Sequence, residues 1–289
     1  MSLQEYRPSQ FKMLPDVVKN LLIINGLFYL ATYVLENKFG IDLVEMLGLH
    51  YIGSDKFRPY QIVTHLFMHG SFGHVFSNMF MLWMFGNVLE NYWGGKRFLI
   101  YYLVTGFGAA FMHYMVSYFY DVQPVLSAIN DYIAAPSASA LESFVMTHRF
   151  NISFYAPEAV KSYFHEFQYY AGQLSTNPAD SVALQKTVDF MAYYKNYFLG
   201  MSNMVGASGA VFGVLLAYGM LFPNQLIYLY FLIPIKAKYF VLMYGLFELW
   251  NGLSNDAADN VAHFAHLGGM LFGFVLIKYW NRNDRQNFY

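Results

Sequence analysis

Apolar residues gather into six runs along the chain, each about as long as a helix that crosses a membrane. The runs lie near 18–36, 72–92, 98–120, 199–221, 235–251 and 261–280. A helix of about 20 apolar residues spans the hydrocarbon core of a bilayer. The pattern therefore predicts an all-α, polytopic membrane protein with six transmembrane helices.

A more polar stretch separates the third run from the fourth. Pro157 and Pro178 stand at plausible first positions of helices, with Asn177 as a cap before the second. The residues after Pro178 recur at helical spacing, and Tyr and Phe are frequent in the whole stretch. We expect amphipathic helices that rest on lipid or on the bundle and form no large core of their own. A structural cap is the simplest interpretation of this segment.

The runs divide the chain into three predicted parts. Residues 1–120 form a core part with helices 1–3, 121–198 an external amphipathic insertion, and 199–289 a core part with helices 4–6 and a short tail. In this arrangement, four basic segments share one side: Arg7, Lys12 and Lys19; Lys96 and Arg97; Lys236 and Lys238; and Lys278, Arg282 and Arg285. Basic loops mark the cytoplasmic side, so we expect both termini in the cytoplasm and the insertion outside.

Composition agrees with the membrane interpretation and excludes several kinds of chemistry. The chain is 57% hydrophobic and 12% charged, against roughly 25% charged residues in soluble domains. A net charge of -1 favours no nucleic-acid partner. The absence of cysteine excludes disulfides, thiolate metal ligands and cysteine nucleophiles. The polar first twenty residues lack a signal-peptide pattern, so we expect the first helix to act as an uncleaved insertion signal.

A serine and a histidine occur near the start of two of the apolar runs. Ser208 lies in Gly206-Ala207-Ser208-Gly209, about 12 Å along the fourth helix if that helix begins near Gly200. His266 would lie about 8 Å along the sixth helix, counted from residue 261. A serine hydroxyl needs a base to act as a nucleophile, and histidine is the commonest base. The pair indicates nucleophilic catalysis within the membrane.

Small residues predict that the two helices pack closely. They recur at four-residue spacing in two stripes: Gly209, Gly213 and Ala217, and Ala265, Gly269 and Gly273. Stripes of this kind let membrane helices approach each other. If the stripes face one another, Ser208 and His266 border the contact.

His74 and Asn78 of the second run are four residues apart and share a helix face.

Three segments together resemble the rhomboid family of intramembrane serine proteases. They are His65–Asn78 (HLFMHGSFGHVFSN), Gly206–Gly209 (GASG) and Ala265–Gly273 (AHLGGMLFG). The resemblance covers nearly everything except 121–197. It implies a six-helix rhomboid bundle that holds an extra-membrane helical insertion between helices 3 and 4. The insertion has a second interpretation, the admission or selection of substrate, because it leads directly into the helix that carries Ser208.

Carried over position by position, the resemblance assigns the site. Ser208 corresponds to the nucleophile and His266 to the general base of a dyad without aspartate. His74 and Asn78 correspond to side-chain donors of the oxyanion hole, joined by the Ser208 N–H. Phe212 occupies the position of an aromatic ring stacked on the catalytic imidazole. The resemblance implies endopeptidase activity on single-pass transmembrane proteins near the external face, with no cofactor or metal, in a bacterial inner (plasma) membrane.

The chain departs from the family pattern at two positions that are mainly structural. Tyr60-Gln61 stands where a Trp-Arg pair is usual in the first loop. Glu90 ends the second helix without the arginine that usually follows it two residues later, so its intrahelical partner is absent. Because of these two departures, the sequence does not predict how the loop is anchored. The proposed catalytic residues are not affected.

Several polar residues have alternative interpretations. His263 lies one turn before His266 and is a weaker candidate for the base, because only His266 has glycines three and seven residues later. His65 and His69 have the spacing of a metal pair but are also read as a polar anchor at the membrane surface. Glu248 is taken to end the fifth span at the outer membrane interface, without a catalytic role.

Two other functions compete with proteolysis. An inactive rhomboid-like protein would bind membrane proteins without cleaving them, although such relatives usually lose the nucleophile or the base. A metal-binding or transport protein could use the nine histidines. It would require several histidines or carboxylates to converge, and the apolar runs contain few acids.

Overall fold

The computed structural model describes residues 11–152, 156–229, 232–254 and 262–286. It divides into two compact units. The first unit takes in the described residues of Met1–Leu49, Pro59–His113 and Met204–Tyr289, and the second takes in His50–Arg58 and Tyr114–Asn203. Arg7 and position 261, the predicted start of the sixth helix, lie outside the described residues.

The described residues are mostly helical. In chain order the helices are α1 (Asp16–Phe39), α2 (Leu43–Leu47), α3 (Gln61–Thr64), α4 (Phe72–Met81), α5 (Asn87–Trp93), α6 (Gly95–Ser117), α7 (Gln123–Ala134), α8 (Ala138–Thr147), α9 (Glu158–Thr176), α10 (Ser181–Met201), α11 (Ser208–Leu221), α12 (Ala237–Ser254) and α13 (His263–Gln286). Short strands are β1 (Leu49–His50), β2 (Asn203–Met204), β3 (Leu226–Leu229) and β4 (Ile233–Lys236). A 3-10 turn follows α3 at His65–Phe67, and π-helical turns join α4 to α5 (Leu82–Gly86) and α6 to α7 (Tyr118–Val122).

The fourth predicted helix begins later than its apolar run. The run starts near 199, but α10 ends at Met201 and α11 begins only at Ser208. Gly206, in the break, has a φ of 119°, which a right-handed helix cannot contain. Ser208 is therefore the first residue of its helix, and the predicted depth of about 12 Å is wrong. His266 is likewise only the fourth residue of α13, so the predicted 8 Å is too large.

The fifth predicted helix is preceded by a hairpin. Strands β3 and β4 pair in antiparallel fashion, with Leu226 opposite Lys236 and Leu229 opposite Ile233. Residues 226–229 and 233–236 are thus strand, and the predicted start of the fifth helix at 235 lies in β4. Helix α12 begins at Ala237 and continues to Ser254, three residues beyond the predicted end at 251.

Helix α11 is the centre of the first unit, because residues on all its sides are buried. Its small residues allow close contacts with two neighbours. Gly209 packs against Ala109 of α6 and against Gly269 of α13, and a Cβ added at Gly213 would lie 2.6 Å from Cβ of Thr105 on α6. Gly273 of α13 also faces α6. The two small-residue stripes therefore meet at Gly209 and Gly269, whereas Gly213 and Gly273 both face α6.

Glu90 has a partner different from the one that the family pattern supplies. Its carboxylate accepts hydrogen bonds from the N–H groups of Val17 at 2.9 Å and Val18 at 2.7 Å. The first N–H groups of a helix lack intrahelical acceptors and attract negative charge. Glu90 therefore caps α1, which begins at Asp16.

Gln61 anchors the loop in which the family pattern has Trp-Arg. Its side chain is 1% exposed, and Nε2 donates to the Met46 carbonyl at 3.1 Å. Thr64 adds a hydrogen bond from its hydroxyl to the Leu47 carbonyl at 2.7 Å. The segment that leads toward α4 is thus fastened to α2 by side-chain bonds.

The outer helices of the first unit expose large apolar side chains. Contiguous exposed apolar surface marks contact with a membrane or a partner. On α1 these residues include Ile23, Leu27, Leu30 and Tyr33; on α4 Phe72, Phe76 and Phe80; on α12 Leu242, Leu246, Phe247 and Trp250; and on α13 Leu271, Phe274 and Val275. Among the described residues, Asp16–Phe39 and Gly95–Ala134 are long and apolar enough to cross a membrane by themselves, and Ser208–Leu221 is a shorter apolar helix. The count of six spans stays a prediction.

The second unit has a hydrophobic core of its own. Helices α7–α10 contribute buried residues to one cluster: Ile129, Tyr132, Leu141, Phe144, Phe167, Leu174, Ala183, Phe190, Met191 and Tyr194. The prediction that this segment forms no large core is therefore wrong. The aromatic faces of these helices pack on one another, with the rings of Phe167 and Phe190 stacked at 4.4 Å.

Neither Pro157 nor Pro178 occupies the first helical position that the sequence predicts. Helix α9 begins directly after Pro157, which is its N-cap. Pro178, in contrast, precedes α10 by three residues, because Asp180 is the N-cap and its carboxylate accepts from the N–H groups of Val182 and Ala183. A carboxylate at the N-cap satisfies donors that the helix leaves open.

Candidate active site

Ser208 is the half-buried first residue of α11. The turn before it depends on Gly206, since residues with a side chain rarely adopt a φ of 119°. The N–H of Gly206 donates to the carbonyl of His65 at 2.9 Å, which ties this turn to the loop before α4. The Ser208 N–H, as a first-turn donor, has no acceptor within the helix. A hydroxyl and a backbone donor therefore stand together at the helix start.

His266 lies in the first turn of α13 and is 8% exposed. Its ring stacks on that of Phe212, with centroids 4.1 Å apart and planes 5° from parallel. Phe212 lies one turn after Ser208 on the same face of α11. A Cβ added at Gly209 would lie 3.3 Å from the carbonyl oxygen of Ala265. The structure thus brings together the first turns of the two helices that carry the predicted dyad.

His74 lies in the first turn of α4, where the Ser71 hydroxyl caps the helix by accepting from the His74 N–H at 3.2 Å. Its imidazole packs on the turn before Ser208: a Cβ at Gly206 would lie 2.8 Å from both Cε1 and Nε2. The predicted oxyanion donor therefore adjoins the serine turn.

Asn78 follows His74 by one turn of α4 and is buried. Its Nδ2 lies 3.1 Å from Nε2 of His69, and the ring of His69 meets that of His74 edge-on at 4.9 Å. An amide nitrogen carries two hydrogens, so Asn78 can bind His69 and still donate to a second acceptor. His69 thus holds Asn78 in a fixed position.

His65 and His69 do not share one helix, so their spacing does not make a metal pair. The 3-10 turn ends at Phe67, and Met68 is extended with a ψ of 144°. Nδ1 of His65 bonds to the Gln61 carbonyl oxygen at 2.9 Å. Burial lowers the pKa of His65, and it lowers the pKa of His69 to about 4. Both rings are neutral near neutral pH, which agrees with a role as polar anchors.

Glu248 is the residue of the site that sequence reasoning missed. It lies on α12, is 5% exposed, and its Oε2 is 2.7 Å from Nδ1 of His266 and 2.7 Å from Nδ1 of His263. Glu248 lies within α12, which continues to Ser254, and its contact with His266 was not predicted. The available signal was an acid inside an apolar run, since ionisable residues within membrane helices are costly and usually functional.

Glu248, His263 and His266 also have the composition of a metal site. Each offers one ligand atom, and these atoms lie within 4.8 Å of one another. Two histidines and a glutamate bind zinc in some hydrolases. The sequence analysis required several histidines or carboxylates to come together before a metal site could form. In the structure, Glu248, His263 and His266 do come together.

The fold and the site define a mostly helical membrane protein. In its site, the turn at Gly206 that precedes α11 lies near a histidine, His266, that stacks on the ring of Phe212. The chain belongs to the rhomboid family. The model of the Rhomboid domain matches residues 56–128 and 181–282, so the stretch between these ranges lies outside the match. The family includes serine proteases and acts on membrane proteins in the bilayer.

Two relatives are from Arabidopsis thaliana. Rhomboid-like protein 11, chloroplastic, is 32% identical over 98 residues, which are 32% of this chain and 34% of the relative. RHOMBOID-like protein 12, mitochondrial, is 24% identical over 259 residues, or 88% of this chain and 55% of the relative. The chain thus spans about a third to about half of these relatives. No solved structure matches it. Relatives named for chloroplasts and mitochondria lend no support to the predicted bacterial inner membrane.

Proposed function

We propose that this protein is a rhomboid-type intramembrane serine endopeptidase with Ser208 as nucleophile and His266 as general base. The observation that carries the proposal is the stacking of His266 on Phe212 at 4.1 Å, one turn from Ser208. Ring stacking fixes the plane of the imidazole. An imidazole held in this way near the start of α11 supports His266 as the acceptor of the serine proton.

In the proposed reaction, the Ser208 hydroxyl adds to a peptide carbonyl while His266 accepts its proton. The tetrahedral intermediate collapses when His266 returns that proton to the leaving amine, which breaks the peptide bond and leaves an acyl-enzyme. Water then attacks the ester with His266 again as base, and His266 returns this proton to the Ser208 oxygen as the ester bond breaks and the acid product departs. Because Nδ1 of His266 faces Glu248, Nε2 is the nitrogen that exchanges the proton.

The oxyanion of the intermediate would be stabilised by three groups. They are the Ser208 N–H, the second N–H of the Asn78 amide, and the imidazole of His74. Each such donor contributes about 10²–10³ in rate. The contact of His74 with Gly206 and the bond of Asn78 to His69 support donors that are already in place before substrate binds.

The proposed substrates are single-pass transmembrane proteins within the lipid bilayer. A substrate helix must unwind locally, because its carbonyls are otherwise hidden in hydrogen bonds. Helix-breaking small residues should therefore mark cleavage sites. The proposed reaction requires no metal or organic cofactor and no nucleic acid. In the proposed orientation, both termini are cytoplasmic and the site opens to the external side.

Substitution of Ser208 by alanine tests the proposal. The purified protein should cleave a model transmembrane substrate and react covalently with a fluorophosphonate, and Ser208→Ala should do neither while keeping its melting temperature. Little packing is lost with a half-buried hydroxyl. Substantial cleavage by the alanine variant would exclude the mechanism. Binding of substrate by wild-type protein without cleavage or labelling would instead identify an inactive rhomboid-like binding module.

A further inference from the structure

The carboxylate of Glu248 connects two histidines of α13 through a single oxygen. Oε2 lies 2.7 Å from Nδ1 of His266 and 2.7 Å from Nδ1 of His263. All three side chains are buried. A carboxylate oxygen can accept two hydrogen bonds, and distances of this length are typical of bonds to charged groups.

We propose that Glu248 is a positioning residue for His266, so that the site works as Ser208–His266–Glu248 rather than as a dyad. This inference rests on the proposed function. A carboxylate at Nδ1 keeps the hydrogen on that nitrogen and leaves Nε2 as the acceptor for the serine proton. It also stabilises the imidazolium that forms when His266 takes this proton.

His263 completes the arrangement from the other side. Its Nδ1 donates to the same oxygen, so the carboxylate is held between two donors on one face of α13. Only His266 also stacks on Phe212. His263 therefore fixes Glu248, and Glu248 together with Phe212 fixes His266.

The distances favour hydrogen bonding over metal ligation by the same three residues. Ligands about 2.0–2.1 Å from a tetrahedral zinc ion stand about 3.3 Å from each other. The two nitrogen–oxygen distances here are 2.7 Å. A hydrogen bond from each nitrogen to the oxygen accounts for this shorter spacing.

Glu248→Gln tests the inference, because the amide keeps the shape of the side chain and removes its charge. Cleavage of a fluorescent transmembrane substrate should fall about 10²–10⁴-fold in kcat with little change in KM. The acid limb of the pH profile of kcat/KM should move to lower pH, because the imidazolium loses its counter-charge. A purely structural role would lower the folded fraction and leave this limb in place.

Glu90→Gln is the matched control. Glu90 is buried to the same degree, 6% against 5% exposed, and also accepts two N–H groups. Its substitution should lower the melting temperature in detergent without changing kcat or the acid limb. A wild-type kcat and pH profile in Glu248→Gln would overturn the inference.

Two further measurements keep the inference testable. If Glu248→Gln does not purify in a folded form, kcat is measured for Glu248→Asp instead. A lowered kcat is expected, and an unchanged kcat would contradict the inference. Wild-type protein dialysed against a chelator should keep its activity; a loss that Zn²⁺ restores would make the trio a metal site and overturn the inference. Inactive wild-type protein would refute the proposed function itself, whereas an active Glu248→Gln refutes only the role of Glu248.

Discussion

His266 is distinguished from its neighbour His263 by what each ring touches. Both donate to Glu248, but only His266 lies against Phe212, whose ring follows Ser208 by one turn. A general base must be held in one orientation and lie within reach of the nucleophile. The stacking therefore favours His266 as the base and His263 as a support for the carboxylate.

Alanine at these two positions should separate the roles. His266→Ala should be as inactive as Ser208→Ala, and the double variant no worse, because members of a catalytic unit act together. His263→Ala should retain measurable turnover, since Glu248 can still accept from His266. The measurement is kcat for a model transmembrane substrate, with melting temperature as the check on folding. If His263→Ala were inactive and His266→Ala retained turnover, the general base would be His263, one turn earlier on α13.

The oxyanion donors predict a graded loss of rate. Asn78→Ala and His74→Ala should each lower kcat by about one to three orders of magnitude, because each removes one donor to the developing charge. Asn78→Ala should also cost about 1 kcal/mol of stability, since the buried His69 loses its partner. Rates and melting temperatures of both variants distinguish these effects. Unchanged rates in both would leave the oxyanion to backbone N–H groups alone.

Local sequence patterns predict Ser208, His266 and Phe212 as site residues, but they do not predict Glu248. The segments Gly206–Gly209 and Ala265–Gly273 that contain Ser208 and His266 are short, and Phe212 is one helical turn from Ser208. Glu248 is separated from His263 and His266 by 15 and 18 residues and lies on another helix. Only the packing of α12 against α13 brings it to the site.

At the scale of elements, the site is built from the first turns of three helices. His74, Ser208 and His266 lie in the first turns of α4, α11 and α13. Hydropathy locates these helices but misplaces the start of the fourth, because the apolar residues Met204 and Val205 continue across the break. The break depends on a backbone angle at Gly206, which hydropathy does not report.

Gly206→Ala should therefore disturb the site without removing any proposed catalytic group. The φ of 119° is strained for alanine, and its Cβ would lie 2.8 Å from the His74 ring. We expect a loss of about 1–3 kcal/mol in stability and slower labelling of Ser208.

Gly26→Ala is the control for this substitution. Gly26 lies within α1, and nothing lies within 4 Å of a Cβ added there. Alanine in a helix interior gains up to about 1 kcal/mol over glycine. Melting temperature and labelling rate of the two variants give the comparison. Equal behaviour of both would mean that the shape of the turn before Ser208 is unimportant.

At the scale of the whole molecule, composition predicts the membrane character and periodicity predicts the helices. Neither composition nor periodicity predicts the core of the second unit. Amphipathic helices rich in Tyr and Phe have the same sequence pattern whether they face lipid or each other. In this unit they face each other around Phe150, whose ring contacts those of Phe167, Phe190 and Tyr194. The distinction is made by tertiary packing alone.

None of the residues proposed for catalysis lies in the second unit, and this separation leads to the last prediction. Replacement of about 125–190 by a short flexible linker should leave Ser208 reactive toward a small fluorophosphonate. Cleavage of complete transmembrane substrates should change in rate or in choice of substrate, because the segment leads into the helix that carries Ser208. Both are measured on the same purified protein. Loss of labelling in a variant that is still folded would place the segment within the catalytic architecture, and unchanged cleavage of every substrate would leave it as a structural cap.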